Sequence, residues 1–490
     1  MRLSAPAIGW IGLSCYSALF IAYSLARFYG LKTSLFDLGV FDQLMSNMLA
    51  GRGMVSTINP PYDATHWLGF HFSPILYALL PIYALAPYPE TLLIINVLCI
   101  ALTAVPLYRI ARHWNYSAGY SLLWCIFFLL NPFTISALLF DFHEVVIATL
   151  AMACALYAQA TKRFVALLFA LIILLLCKEH YGLSVIGFGL LWALTYKDWK
   201  RGGLIIALGV ASLILVLGII MPLLNQQPIF QLSAGTAHRY DWLFTHESLF
   251  ATLPTLAIDA AYYLGFHLLL WCALPLGSLA WLLPAASDLL ANMLSLNPMM
   301  RSASSYHSAA IIVVMMVTAL RTASALQKKQ RACMRKMMLC VGLATALGFL
   351  NAPLSPMRNM WEINLADHTR TMHIGQIAAL LSPNDSVAAQ SNIGSFFSQR
   401  AHITPYIAQT DAQVIILHLA YPFSDGNSLF NIPYEVSKEE YLRAVKATLN
   451  NRAYGVVYWQ DHWLVLKKGL PYSQTHYREI IAQLDALSAQ

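Results

Sequence analysis

Up to about residue 352 the chain is a succession of apolar runs separated by short polar loops. A helix rising 1.5 Å per residue needs about 20 apolar residues to cross a hydrocarbon layer of about 30 Å. On that measure the pattern predicts eleven spans, near 6–28, 91–109, 118–138, 144–161, 164–178, 181–196, 203–222, 256–272, 274–290, 307–322 and 336–352. The run that follows Arg2 has the form of a signal peptide, but more spans follow it, so it reads as an uncleaved first helix. Pro275 and Pro284 interrupt the pair between 256 and 290. The stretch His71–Pro89 is apolar but carries Pro74, Pro81, Pro87 and Pro89. It reads as a helix lying at, or re-entering, the outer interface, where non-helical backbone must be buried in protein or line a wet cavity.

After about Leu350 the pattern changes. Segments 386–390, 402–407, 413–419 and 454–459 read as strands. Ser437–Asn450 reads as an amphipathic helix with Ser437 as N-cap and Glu440 as its box partner. Tyr454–Gln460 and His462–Lys467 flank Asp461 as a closing hairpin. Alternating strands and helices predict a small α/β domain. The expected organisation is an α-helical polytopic membrane domain, 1–352, followed by an extracytoplasmic α/β domain, 353–490.

Charge sharpens this picture. Only 11% of the residues are charged and 58% are hydrophobic, against about 25% charged in soluble domains. With the N-terminus inside, the inner loops collect Arg109, Arg112, Lys162, Arg163, Lys197, Lys200, Arg201 and the basic 321–336 stretch, with Asp198 as their single acid. Basic loops resist translocation, so this bias predicts a multi-pass plasma (inner) membrane protein with a cytoplasmic N-terminus and its tail outside. The net charge of +7 is then loop charge beside anionic lipid, not a nucleic-acid footprint. The eight cysteines lie in or beside apolar runs and none falls in the tail. They form neither a metal pattern nor a disulfide framework.

The acids crowd the predicted outer face, among them Asp37, Asp42, Asp63, Asp141, Glu144 and Glu179. Acids contribute little to topology, so the crowding predicts an outward-facing polar site. In Phe36-Asp37-Leu38-Gly39-Val40-Phe41-Asp42-Gln43 the two acids are five apart, so they do not share one helix face. A carboxylate flanked by apolar residues, as Asp37 is, suits proton abstraction or metal binding. Either Asp37 or Asp42 can equally cap an interfacial helix. Asn59-Pro60-Pro61-Tyr62-Asp63, His66 and His71 enrich the same loop, and Arg52 in Gly51-Arg52-Gly53 is a further candidate anion binder. Asp141, His143 and Glu144 are three potential ligands within four residues, able to hold Mg or Mn or to start the next helix. Lys178-Glu179-His180 joins two apolar runs too short for a full crossing, so this tip should be recessed. Charge there is expensive and usually functional, with Lys178 as anion binder or as half of an internal pair. Arg301 and His307 precede another span and can meet a phosphate. Walker, Rossmann, zincin and nucleophile-elbow signatures are absent from the sequence.

At these residues the sequence resembles a family of bacterial and archaeal membrane proteins called domain of unknown function 2079. The resemblance is carried by 36–43, Gly51-Arg52-Gly53, His71-Phe72-Ser73-Pro74-Ile75-Leu76, Phe140-Asp141-Phe142-His143-Glu144, Lys178-Glu179 and Tyr306-His307. Ser386-Val387-Ala388-Ala389-Gln390-Ser391-Asn392 and Ser398-Gln399-Arg400 extend it into the tail. That family is grouped with the GT-C glycosyltransferases, which take a sugar from a polyprenyl phosphate and act on the extracytoplasmic face. The resemblance implies a GT-C-like membrane domain, Asp37 in the catalytic position and Asp141 as the second-loop acid; Asp42 is the other catalytic candidate of the first loop. The chain departs from that pattern in lacking an Asp-x-Asp pair. The expected function is inverting transfer of a hexose or pentose from a polyprenyl-phosphate donor to an extracytoplasmic lipid, glycan or protein. Lys178, Glu179, Arg301, His307, Arg52 and His71 would bind substrate, and a cation at Asp141, His143 and Glu144 would assist. The rival readings are a transporter or flippase without chemistry, whose polar groups would gather at the midplane between repeats, and an inactive binding protein.

Overall fold

A computed structural model describes residues 4–60, 62, 65–231, 240–243, 246–303, 305–329, 333–350, 368–407, 411–419, 438–471 and 473–489. Asp63 and Ser437 lie outside the described residues. The chain forms two compact units, one of residues 1–21, 68–78 and 95–361, the other of 22–67, 79–94 and 362–490. The tail shares a compact unit with the first polar loop.

The first unit is a bundle of apolar helices. Among the described residues six helices are long and apolar enough to cross a membrane: Ala5–Tyr29, Pro89–His113, Trp199–Leu224, Thr252–Leu270, Leu274–Leu294 and Ala309–Leu326. Ala118–Leu129 and Pro132–Leu139 add a seventh if taken together, bent by 56°. Asn131 makes that bend: its side chain accepts from the Phe133 N–H, and Pro132 opens the next helix. Three of the predicted spans are too short for a full crossing: Val145–Ala160, Phe164–Cys177 and Tyr181–Tyr196 have 16, 14 and 16 residues. At 1.5 Å per residue they cover roughly 21–24 Å. Ile75–Leu85, with 11 residues, is shorter still, as its prolines predicted. The interrupted pair breaks at Cys272 and Ala273, both at positive φ, 51° and 55°.

Packing follows composition. Ile311–Val317 have no exposed surface, as expected of a helix apolar on every side. Along Cys333–Leu350, by contrast, Leu339, Leu343 and Leu347 are exposed on one face, as in a helix that meets lipid. Tyr181–Tyr196 and Trp199–Leu213 approach backbone to backbone through glycines. A Cβ on Gly209 would lie 2.5 Å from the Gly182 carbonyl oxygen, and one on Gly187 would lie 2.2 Å from the Leu283 oxygen. Small residues are what permit this contact between helices in lipid.

The second unit is built on a five-stranded sheet. We number the strands β1 (Val55–Ser56), β2 (Thr65–His66), β3 (Val387–Ala389), β4 (Ile403–Pro405), β5 (Val414–His418), β6 (Tyr454–Gln460) and β7 (Trp463–Lys468). β1 and β2 pair separately, and the sheet order is β4-β3-β5-β7-β6. β3 runs parallel to β4 and β5, and β7 is antiparallel to β5 and β6. The β6–β7 hairpin turns on Asp461 and His462, both at positive φ, 47° and 69°, as a two-residue turn of the I′ kind requires. Lys438–Asn450 and Gln474–Ala489 pack Tyr441, Leu442, Val445, Leu449, Tyr477, Ile480 and Leu484 into the same core as Ile415, Leu417, Leu464 and Leu466. The residues 33–57 belong to this unit through side-chain bonds. Thr57 Oγ1 donates to the Ile403 carbonyl at 2.7 Å and Gln43 Nε2 to the Arg400 carbonyl at 3.1 Å. Phe28 stacks on Phe396 with ring centroids 4.1 Å apart.

Candidate functional site

In the first unit the predicted site residues of three separate loops converge. Val145–Ala160, Phe164–Cys177 and Tyr181–Tyr196 are too short to carry their ends clear of an apolar layer, so Glu144 and Lys178-Glu179 stay enclosed. Lys178 Nζ lies 3.1 Å from Glu144 Oε1, with the carboxylate 1% and the lysine 12% exposed. Next to it Glu179 is held twice. His71 Nδ1 is 3.1 Å from its Oε1, and the Phe72 backbone N–H donates to its Oε2 at 3.0 Å. An ionised carboxylate only accepts, so the imidazole proton is on Nδ1.

The electrostatics of this cluster are those of paired charge. Burial alone would raise the Glu179 pKa, but His71 and Lys178 beside it hold the carboxyl well below its usual value. Burial, with Lys178 adding to it, lowers the pKa of His71 despite Glu179. The imidazole is therefore neutral at pH 7. Tyr306 is another neighbour: its ring stacks on His143 at 3.8 Å and on His307 at 4.4 Å. His180 Nε2, 3.6 Å from Asp288 Oδ1, brings in a third acid. The result is one lysine ammonium, a neutral imidazole and two aromatic-stacked histidines among enclosed carboxylates. Such an array can hold an anion, because the Lys178 ammonium has three donors and Glu144 takes only one side of it.

Several expected roles change. Asp141, His143 and Glu144 do not make a three-ligand metal set. Among the described residues no group of three or more His, Cys, Asp and Glu side chains could hold a metal ion. The physical reason is that Glu144 takes Lys178 as its counter-charge and His143 lies flat on Tyr306. The donors present do not fit a divalent cation at this place. Arg301 is absorbed by structure: its guanidinium donates to the carbonyls of Ser295 and Asn292 and meets Asp259 Oδ2 at 3.2 Å. His307 Nδ1 is 3.1 Å from Ser305 Oγ.

The remaining candidates lie in the second unit. Asp37 is half-buried within a π-helical turn, Leu35–Gly39, introduced by Ser34, whose side chain accepts from the Phe36 N–H. Such turns occur often at functional positions. Asp42, expected beside Asp37 as a catalytic acid, has no exposed surface. It accepts from Tyr83 Oη at 2.5 Å, Ser398 Oγ at 2.6 Å and Gln399 Nε2 at 3.4 Å. Burial pushes its pKa up to about 7, although these three donors pull it back. This is a holding position, not one open to substrate. Arg52 donates to Asn47 Oδ1 at 2.7 Å and so closes its own glycine turn. The partners Tyr83 and Asp288 were missed in the sequence. Ser398 and Gln399 stood there only as part of a tail motif, with nothing to link them to Asp42.

The geometry can now be set beside known proteins. The sequence model of a family described as predicted membrane protein (DUF2079) matches residues 27–465. No curated protein matches the chain. Among solved structures the chain resembles ArnT from Cupriavidus metallidurans bound to undecaprenyl phosphate, with TM-score 0.51 and 15% identity over 94% of this chain and 98% of that one. The apo state of the same protein gives 0.49 and 14% over the same shares. The first of these likenesses shows a common fold.

Proposed function

We propose that this chain, which belongs to the DUF2079 family of predicted membrane proteins, is a membrane glycosyltransferase using a polyprenyl-phosphate sugar. The observation that carries the reading is the enclosed Lys178–Glu144 and His71–Glu179 cluster in a chain of the GT-C fold. Such charge inside an apolar bundle is expensive and usually functional. The fold by itself does not settle an activity. That the ArnT structure holds undecaprenyl phosphate supports a lipid-phosphate substrate here.

In the reaction an acceptor oxygen attacks the anomeric carbon as its proton passes to a carboxylate. The new C–O bond forms as the bond from the anomeric carbon to the carrier phosphate breaks, with inversion. The leaving polyprenyl phosphate takes the electron pair. Lys178 stabilises that developing charge, the kind of preorganised donor that acts most strongly where water is excluded, and His71 holds Glu179 beside it. Asp37 is the carboxylate to which the family resemblance gives the proton. The acceptor is extracytoplasmic, in line with the basic loops placing the N-terminus inside.

The test is release of free polyprenyl phosphate in nanodiscs from a panel of polyprenyl-phosphate sugars, with a membrane or glycan extract as acceptor. Wild type should release carrier, and Asp37→Asn and Lys178→Gln should not. No release from any donor by folded wild type would sink the reading. A chelator arm asks whether Mg or Mn takes part from a place other than Asp141, His143 and Glu144.

A further inference from the structure

The first helix meets its unit along one side only. In Ala5–Tyr29 just 6% of the most apolar window is buried, and Ile8, Trp10 and Ile11 are more than half exposed. Between its first turns and the helices Ala104–His113 and Ala118–Leu129 lies a cavity of about 420 Å³. Gly12, Leu13, Tyr16, Leu122 and Arg109 are among the residues that line it. Its few polar groups are turned away from the space. Tyr16 Oη donates to the Leu129 carbonyl at 2.9 Å, and Cys125 Sγ to the Ala104 carbonyl at 3.4 Å. Arg109 is the exception, an exposed guanidinium with no carboxylate partner among the described residues.

We propose that this groove holds one acyl chain of an anionic glycerophospholipid, with the lipid phosphate against Arg109. Three observations converge on that occupant. The wall is hydrocarbon. From Pro6 to Tyr16 the helix rises about 15 Å, half of a hydrocarbon layer of about 30 Å, so the groove is one leaflet deep. Its single charge is a cation, placed where a phosphate would sit and suited to pairing with it. A polyprenyl carrier is much longer than one leaflet and would overrun this space. No residue of the Lys178 cluster lines the groove, so the proposal does not depend on the reaction above.

Gly12 supplies the test. A Cβ there would meet nothing within 4 Å, so Gly12→Phe fills the groove without striking backbone, and Gly12→Ala leaves it open. The full-length protein is reconstituted in vesicles of equal phosphatidylglycerol and phosphatidylcholine, extracted, and weighed by native mass spectrometry. Wild type and Gly12→Ala should retain one phosphatidylglycerol, Gly12→Phe about tenfold less, and Arg109→Gln should retain both lipids alike. Equal retention by Gly12→Phe and wild type would overturn the proposal. So would a wild type that does not prefer phosphatidylglycerol, or displacement of the lipid by equimolar polyprenyl phosphate. Should Gly12→Phe fail to fold, a phosphatidylglycerol with a photoreactive acyl chain decides on wild type alone. Labelling of peptides 6–16 and 104–130 is expected, and labelling confined elsewhere refutes the site.

Discussion

Two enclosed acids, one in each unit, reach opposite electrostatic solutions. Glu179 sits beside Lys178 and accepts from His71, and its pKa is held below the usual value despite burial. Asp42 is as thoroughly enclosed but meets hydroxyls and an amide, and burial pushes it up to about 7. Dipoles that donate hydrogen bonds soften the penalty of burying a carboxylate. At Glu179 the neighbouring Lys178 and His71 reverse it. The charged arrangement is therefore the one with electrostatic work to offer a substrate, and the neutral one is a fastening.

Removing Lys178 should break this contrast most severely. Lys178→Met leaves Glu144 buried without a counter-charge, a loss of about 3–5 kcal/mol. It should also lower polyprenyl phosphate release by about 10²-fold or more, as loss of an oxyanion donor does. The double variant Lys178→Met/Glu144→Leu separates the two effects. It should recover most of the lost thermal stability, because a buried pair replaced by apolar groups is often neutral, while release stays low. Recovery of release as well would reduce the pair to scaffolding.

The two acids also predict opposite pH slopes. The folded pKa of Glu179 is depressed, so its contribution is present above the unfolded value of about 4.3 and is lost as pH falls below it. Glu179→Gln should flatten this acid limb, with a loss of about 1–3 kcal/mol at pH 7. Asp42 has the reverse sign. Its folded pKa lies above the unfolded value of about 3.9, so wild type loses stability as pH rises from about 4 to 7. Melting curves of Asp42→Asn should gain on wild type across that interval and run parallel to it above pH 8. A gap that does not move with pH would show that Asp42 does not titrate there. The smallest effect is expected from Ser398→Ala, about 1 kcal/mol, with the Asp42 midpoint moved further up because one donor is gone.

Much of the helical architecture was legible because hydrophobic runs report it directly. The runs 118–138 and 203–222 became helices near their expected bounds, and the strands around 387, 403, 414 and 454 were in place. The recess of Lys178-Glu179 was readable from helix length alone. Its partners were not, because Glu144 and His71 lie 34 and 108 residues away and local patterning carries no such information. Arg301 looked like an available cation in the sequence, and only the fold brought Asp259 to it. Asp42 shows the same limit. Its two neighbours from the tail, Ser398 and Gln399, are 356 and 357 residues distant, so nothing local foretold the bonds that enclose it.

The discontinuity of the second unit has a consequence in time. Gln43 and Thr57 emerge early from the ribosome, but their acceptors at Arg400 and Ile403 are made only after the whole helical bundle. About 340 residues separate Thr57 from Arg400, and at roughly 5–20 residues per second that is a delay of roughly 17–70 s. During it the first loop holds a row of polar side chains without their final partners. A chain truncated between residues 350 and 398 would keep its apolar helices, yet present an unfinished loop to whatever surveys membrane proteins for incomplete assembly.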